Sequence, residues 1–158
     1  MAPPIHPDLG RLSALLGVWE GDGRGRAPNG AEFGYRETVR FDHSGKPFLS
    51  YIQRTTSTDD GRPLHTESGY WRAATSGDVE LVLGHGSGYA EIEIGRWDGD
   101  VLRLSSRWLQ DTPTAKHVSA LQRDVEVDGD RLRYELRMSV DDNEPSYHLH
   151  AELRRQRV

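Results

Sequence analysis

Turn signals recur along this chain about every ten residues, and that spacing favours short strands over helices. Ala27-Pro28-Asn29-Gly30, Asp42-His43-Ser44-Gly45-Lys46-Pro47, Asp59-Asp60-Gly61-Arg62-Pro63, Ala74–Asp78, Gly84–Gly88, Asp98-Gly99-Asp100, Thr112-Pro113-Thr114, Asp128-Gly129-Asp130 and Asp141–Pro145 all read as turns. Between them lie Phe48–Thr56, Leu64–Arg72, Val79–Leu83, Tyr89–Ile94, Val101–Trp108 and Val118–Val127, which read as strands. Alternation is clearest where Leu132, Tyr134, Leu136 and Met138 interleave with Arg133, Glu135 and Arg137, the pattern of a half-buried strand. Phe33, Tyr35, Val39 and Phe41 share a face in the same way. Parallel strands need long crossovers, and no helix-sized segment is available to make them. The expectation is an all-β chain of about ten antiparallel strands, a sandwich or an up-and-down β-barrel. A barrel of that size can leave a cavity for one small ligand.

Residues 1–7 hold three prolines and read as an irregular arm. Asp8 can cap a short N-terminal helix with Leu12, Leu15 and Leu16 on one face, ended by Gly17, and such a helix would serve as a plug or lid. Then comes Gly17-Val-Trp19-Glu-Gly21-Asp-Gly23-Arg-Gly25. Glycine at alternate positions strips one face of a strand of its side chains, which permits a bend or the close approach of another group. Phosphate-binding loops also contain G-x-G, but a turn follows here in place of a helix, so a structural role is the better reading.

The 158 residues fit one domain, 1–158. A net charge of −5, with both signs interspersed, gives no electrostatic case for nucleic acid or an anionic membrane. No apolar run approaches the ~20 residues of a membrane helix, and the N-terminus lacks the basic start and apolar core of a signal peptide. The chain has no cysteine, which excludes disulfides, thiolate catalysis and iron–sulfur clusters and fits a reducing cytoplasm. Exposed apolar strand faces would suit a homodimer.

Several residues offer chemistry. His148 and His150 lie two apart in Tyr147–Arg154 and share a strand face. Neutral imidazole ligates metals and haem iron, and two surface histidines fit the same spacing. His65 and Glu67 also share a face, as a catalytic pair or a plain hydrogen-bonded one. His65, His85, His148 and Met138 fall in or beside strands, so a barrel lumen could gather them into a metal or haem pocket. Two histidines and a carboxylate could equally bind a free metal. No G-x-S-x-G elbow is present, and the carboxylate pairs Asp59-Asp60 and Asp141-Asp142 lie in turns.

The glycine-tryptophan segment resembles the G-x-W-x-G-x-G-x-G signature of the nitrobindin family, through Gly17, Trp19, Gly21, Gly23 and Gly25. Phe41–Tyr51, Pro63–Arg72, Thr114–Val118 and the terminal His148-Leu-His-Ala-Glu-Leu153 are similar to later blocks of that family, in the same order. The resemblance implies a fatty-acid-binding-protein-like barrel holding haem b, one per chain, with His148 as the proximal ligand. It implies that Leu64 and His65 line the distal side and that Met138 and His85 occupy further pocket positions. His85 stands where relatives often have glutamine. Arg26-Ala27 replaces the Tyr-Pro that often follows the glycine motif, so the path of the chain there is expected to differ. The implied activity is nitric oxide binding by ferrous iron and isomerisation of peroxynitrite to nitrate by ferric iron. A haem-free barrel carrying a lipid or another apolar ligand is the alternative, because fold does not fix function.

Strict alternation raises a conflict. Tyr147, Leu149, Ala151 and Leu153 form the apolar row of the last strand; if that row fills the lumen, His148 points out. Either a bulge shifts the phase, or the apolar row is covered on the outside by the N-terminal helix or a second subunit. We take the external cover as the expectation.

Overall fold

Ten antiparallel strands, each hydrogen-bonded to its neighbours in sequence, curl until the last pairs with the first. The computed structural model describes residues 1–157. The strands are β1 (Gly17–Arg26), β2 (Glu32–His43), β3 (Phe48–Ser57), β4 (Pro63–Ala73), β5 (Val79–His85), β6 (Tyr89–Asp98), β7 (Val101–Asp111), β8 (Ala120–Asp128), β9 (Arg131–Ser139) and β10 (Ser146–Arg155). The expected all-β up-and-down barrel is what forms, and the β1–β10 ladder abolishes both sheet edges. Among the described residues no helix is long and apolar enough to cross a membrane.

The N-terminal helix spans Pro7–Leu15 and is of the 3-10 type, two turns joined across a kink at Gly10. Leu9, Leu12 and Leu15 are its buried residues. Their spacing of three matches the three-residue turn of a 3-10 helix and brings all of them onto one side. The cap differs from the expectation: the His6 ring accepts from the Asp8 amide, so His6 caps where Asp8 was expected to. Leu16 is the C-cap, and Gly17 already belongs to β1.

This helix closes the end of the barrel where β1 begins. Trp19 is fully buried there and donates its indole N–H to the Leu15 carbonyl at 2.7 Å. Arg155 lies over the Trp19 ring at 4.2 Å and donates to the Ala14 and Leu16 carbonyls. Phe41, Leu49, Trp71, Leu81, Leu102, Leu104 and Leu153 complete this apolar end. The opposite end, where β1 finishes and β10 starts, is open.

The alternating glycines of β1 let the barrel close. A Cβ on Gly21 would sit under 3.0 Å from the Glu152 carbonyl oxygen and 2.9 Å from Leu153 Cα, because β10 crosses β1 at that point. Cβ atoms on Gly23 and Gly25 would run into the rings of Tyr35 and Phe33, which lean in from β2. The motif is therefore a packing surface on both sides, as the loss of side chains from one strand face suggests. Replacing Gly21 by alanine would force the β1–β10 seam apart. Gly21→Ala is expected to cost about 3 kcal/mol or more of unfolding free energy. Gly30→Ala, at a turn with φ 87° and open space around it, should cost only the ~1–2 kcal/mol of left-handed backbone. Urea denaturation of both variants compares the two losses; similar values would mean the seam tolerates a methyl group.

Candidate functional site

Inward-facing residues change character along the barrel axis. Above the apolar end, the lumen carries a belt of buried polar side chains: Glu37, Gln53, Glu67, Glu91, Glu93 and Arg123. A cavity of about 600 Å³ runs from the belt to the open end, within the range of small-molecule sites. Phe33, Leu64, Leu136, Met138 and Leu149 form its apolar wall, with His65 and His148 among them and the exposed Arg62 and Lys116 also on it.

His148 reaches this cavity through a register shift between Tyr147 and Leu149. Tyr147 pairs with Arg137 and Leu149 with Leu136, so His148 is the extra residue of a bulge. The expectation of an apolar row covered from outside is thereby corrected: Leu149, Ala151 and Leu153 join the core, and the bulge brings His148 onto the same wall. His150 keeps the regular phase, is exposed, and bonds the Tyr147 hydroxyl at 2.6 Å.

The His148 ring is held on two sides. Its Nδ1 lies 2.8 Å from the Arg26 carbonyl oxygen, which can only accept, so Nδ1 carries the proton and Nε2 keeps a free lone pair. Phe33 packs edge-on against the ring, with centroids 6.3 Å apart. Burial lowers the imidazole pKa, favouring the neutral form, against a smaller upward pull from the Arg26 bond. Although Arg26-Ala27 departs from the family's usual residues, it is a backbone carbonyl that holds His148 here, and any residue supplies one.

Leu64, His65, Met138 and His148 all line this one cavity. His85 does not line it. It sits behind His65, stacked on Tyr89 with ring centroids 3.8 Å apart, its Nδ1 3.0 Å from His65 Nε2. Glu67 lies beside both rings.

Sequence reasoning missed the polar belt. Arg123 is held by Glu67 at 2.9 Å, Glu91 at 2.6 Å and Glu93. Burial opposes the charge on both partners, yet the Arg123 guanidinium and the neighbouring histidines hold the Glu67 carboxyl well below its usual range. Burial raises Glu93 to about 7 despite Arg123. The signal for Arg123 was visible: it occupies an apolar phase between Leu121 and Val125, where a surface arginine does not belong. Across the lumen Tyr134 donates to Glu37 at 2.6 Å, and its hydroxyl lies 2.8 Å from that of Tyr35. Burial raises the Glu37 carboxyl to about 7, with Glu67 adding to the rise and Tyr134, Gln53 and Arg123 opposing it.

Over residues 8–155 the chain matches the family described as THAP4-like, heme-binding beta-barrel domain. It is 46% identical over 161 residues to a protein of Mycobacterium avium named peroxynitrite isomerase 2, covering 99% of this chain and all of that protein. A Mycobacterium tuberculosis protein named peroxynitrite isomerase 1 is also 46% identical, with 99% of this chain covered. The crystal structure of Rv2717c from M. tuberculosis superposes with a TM-score of 0.89 at 46% identity, covering 98% of this chain and 100% of that one.

Glu37 gives the belt a pH signature. Its folded-state pKa of about 7 lies above the ordinary 4.5, so the folded chain holds an extra proton between those values. Its contribution to stability is fully present below pH 4.5 and falls away as pH rises to 7. Glu37→Gln keeps an acceptor for Tyr134 and cannot ionise. The variant is expected to gain about 2 kcal/mol on the wild type between pH 5 and pH 8, read from denaturant midpoints. An equal difference at both pH values would mean that Glu37 is not the group that titrates.

Proposed function

This chain belongs to the nitrobindin-like family of THAP4-like, haem-binding β-barrels, and from that membership we propose that it is a haem b protein that isomerises peroxynitrite to nitrate and binds nitric oxide. In this reading it is a cytoplasmic protein of one domain, 1–158, carrying one haem per chain. The observation that carries the proposal is His148: a neutral imidazole with its Nδ1 proton committed to Arg26 and its Nε2 lone pair free, on the wall of an apolar cavity.

The residues suit the group. An imidazole whose second nitrogen is bonded to a carbonyl has a fixed tautomer and a fixed ring plane, as iron- and zinc-ligating histidines usually do. His148 would hold the iron through Nε2. Phe33, Leu64, Met138 and Leu149 would enclose the macrocycle and keep water from it. Held there, haem would supply the iron chemistry that the reading requires, nitric oxide binding and peroxynitrite isomerisation to nitrate. The side chains do the rest by shape and charge. Arg62 and Lys116, exposed on the cavity wall, would attract an anionic substrate. His65, half-buried on the cavity wall, would supply a further polar group without ligating iron.

Hemin titration of the full chain, followed at the Soret band, tests the reading. The wild type and His150→Ala should bind one equivalent. Changes to residues that merely orient a ligand cost 10–100-fold in affinity, so His148→Ala should lose more than about 100-fold. Peroxynitrite decay, followed by stopped flow, should accelerate only with the loaded wild type and His150→Ala. Unchanged haem affinity in His148→Ala would overturn the ligand assignment. No specific Soret band in the wild type would move the chain to an apolar-ligand carrier.

A further inference from the structure

Where the polar belt meets the cavity, three ligand-type atoms converge. His65 Nε2, His85 Nδ1 and Glu67 Oε2 form a triangle with edges of 3.0, 3.3 and 3.2 Å. We propose that this triangle is a second metal site, distinct from His148, which takes a divalent first-row transition cation on two histidines and one carboxylate. It does not depend on the haem assignment.

The edges carry the geometry. Zn–N and Zn–O bonds of about 2.0–2.1 Å in a tetrahedron put neighbouring ligand atoms about 3.3 Å apart. The observed triangle is one face of such a polyhedron, already assembled. Two histidines and one carboxylate on a single face, with further positions open, suit zinc or ferrous iron better than calcium or magnesium, which prefer all-oxygen shells.

The surrounding bonds fix each ligand in its binding form. His85 Nε2 lies 2.9 Å from Glu91 Oε1, the carboxylate–histidine arrangement that leaves Nδ1 as a lone pair for metal. Glu67 Oε1 accepts from Tyr51 at 2.7 Å and from Arg123 at 2.9 Å, which leaves Oε2 for the ion. A single proton on His65 Nε2 can bridge the triangle; a cation would displace it and the ring would carry its proton on Nδ1.

Charge balance gives an independent reason. Arg123 brings one positive charge to three carboxylates, Glu67, Glu91 and Glu93, so the ionised cluster is short of positive charge by two. Glu91 Oε2 and Glu93 Oε1 are buried and lack a hydrogen-bond partner. Buried carboxylates in that position call for a nearby cation or for protons. There is also a way in, because His65 and Glu67 reach the cavity wall. Open coordination positions would face the cavity, where they could take water or a small anion.

Equilibrium dialysis of the full chain against Zn²⁺, with metal counted by mass spectrometry, is the test. The wild type should hold one more equivalent than His65→Ala, whose changed side chain is half-buried at the cavity wall and leaves the ion pairs of Arg123 in place. His85→Gln should weaken binding at least 100-fold and Glu91→Gln about 10–100-fold, the latter by releasing the ring it orients. His148→Ala should keep the ion. Zinc should raise the melting temperature of the wild type but not of His65→Ala, so a folding defect cannot pass for lost ligation. Equal zinc content in wild type and His65→Ala, or loss of the ion in His148→Ala, would overturn the site. A folded wild type that takes no zinc above the variants would show that protons alone balance the cluster.

Discussion

A guanidinium buried inside a β-barrel dictates much of what surrounds it. Arg123 projects from β8 into the lumen, where water cannot solvate it, and an unpaired charge there would cost several kcal/mol. Strands β4 and β6 answer with Glu67, Glu91 and Glu93 at inward positions. Glu67 and Glu91 then take further neighbours, Tyr51 and His65 on the first and His85 on the second. Removing Arg123 would leave three buried carboxylates without their counter-ion, so the ion pairs behave as a unit. A buried network of this kind is weak as a source of stability and strong as a device for holding side chains in one arrangement. Here Glu67 and Arg123 form part of the cavity wall.

The two ends of the barrel divide the work. At one end Trp19, Arg155 and the leucines of the 3-10 helix form a dry closure, and the small residues of β1 let β10 and the rings of β2 approach. The lumen is thus closed at that end, and Phe41 and Trp71 mark where the cavity begins. At the other end the strands diverge around open space, and the imidazole and apolar side chains there face a volume that the chain itself does not fill. A site on paired strands inherits their rigidity, which suits a cofactor that must be held in one orientation.

The barrel was legible in the sequence because its signals are local. Turn residues at Asp128-Gly129-Asp130 and the strict alternation of β9 need no knowledge of tertiary contacts. The belt was not legible, because pairing Arg123 with Glu93 joins residues on strands that are not neighbours in the sheet. Glu91 and Glu93 read as the polar face of β6, and only closure reveals that this face is the inside. The short helix was legible from its leucines, and Asp8 was a reasonable cap by residue type, yet the cap is His6, two residues earlier. His85 was drawn into the cavity by analogy with relatives, whereas the lumen places it behind His65.

The phase of β10 shows why a period-2 pattern fails at a site. Alternation allows a strand to present either Leu149, Ala151 and Leu153 or His148 and His150 to the lumen, never members of both sets. One extra residue at His148 relaxes that rule for a single position. Below it the apolar row stays in the core, so the seam with β1 is undisturbed and Gly23 and Gly25 still face Ala151 and Leu149. At the bulge the backbone turns His148 toward Arg26, whose carbonyl lies past the last β1–β10 pair and is free to accept. The irregularity that defeats the pattern is thus the means by which a strand built for packing also offers a fixed, neutral imidazole to the cavity. A regular β10 would have to give up either the closure or the histidine.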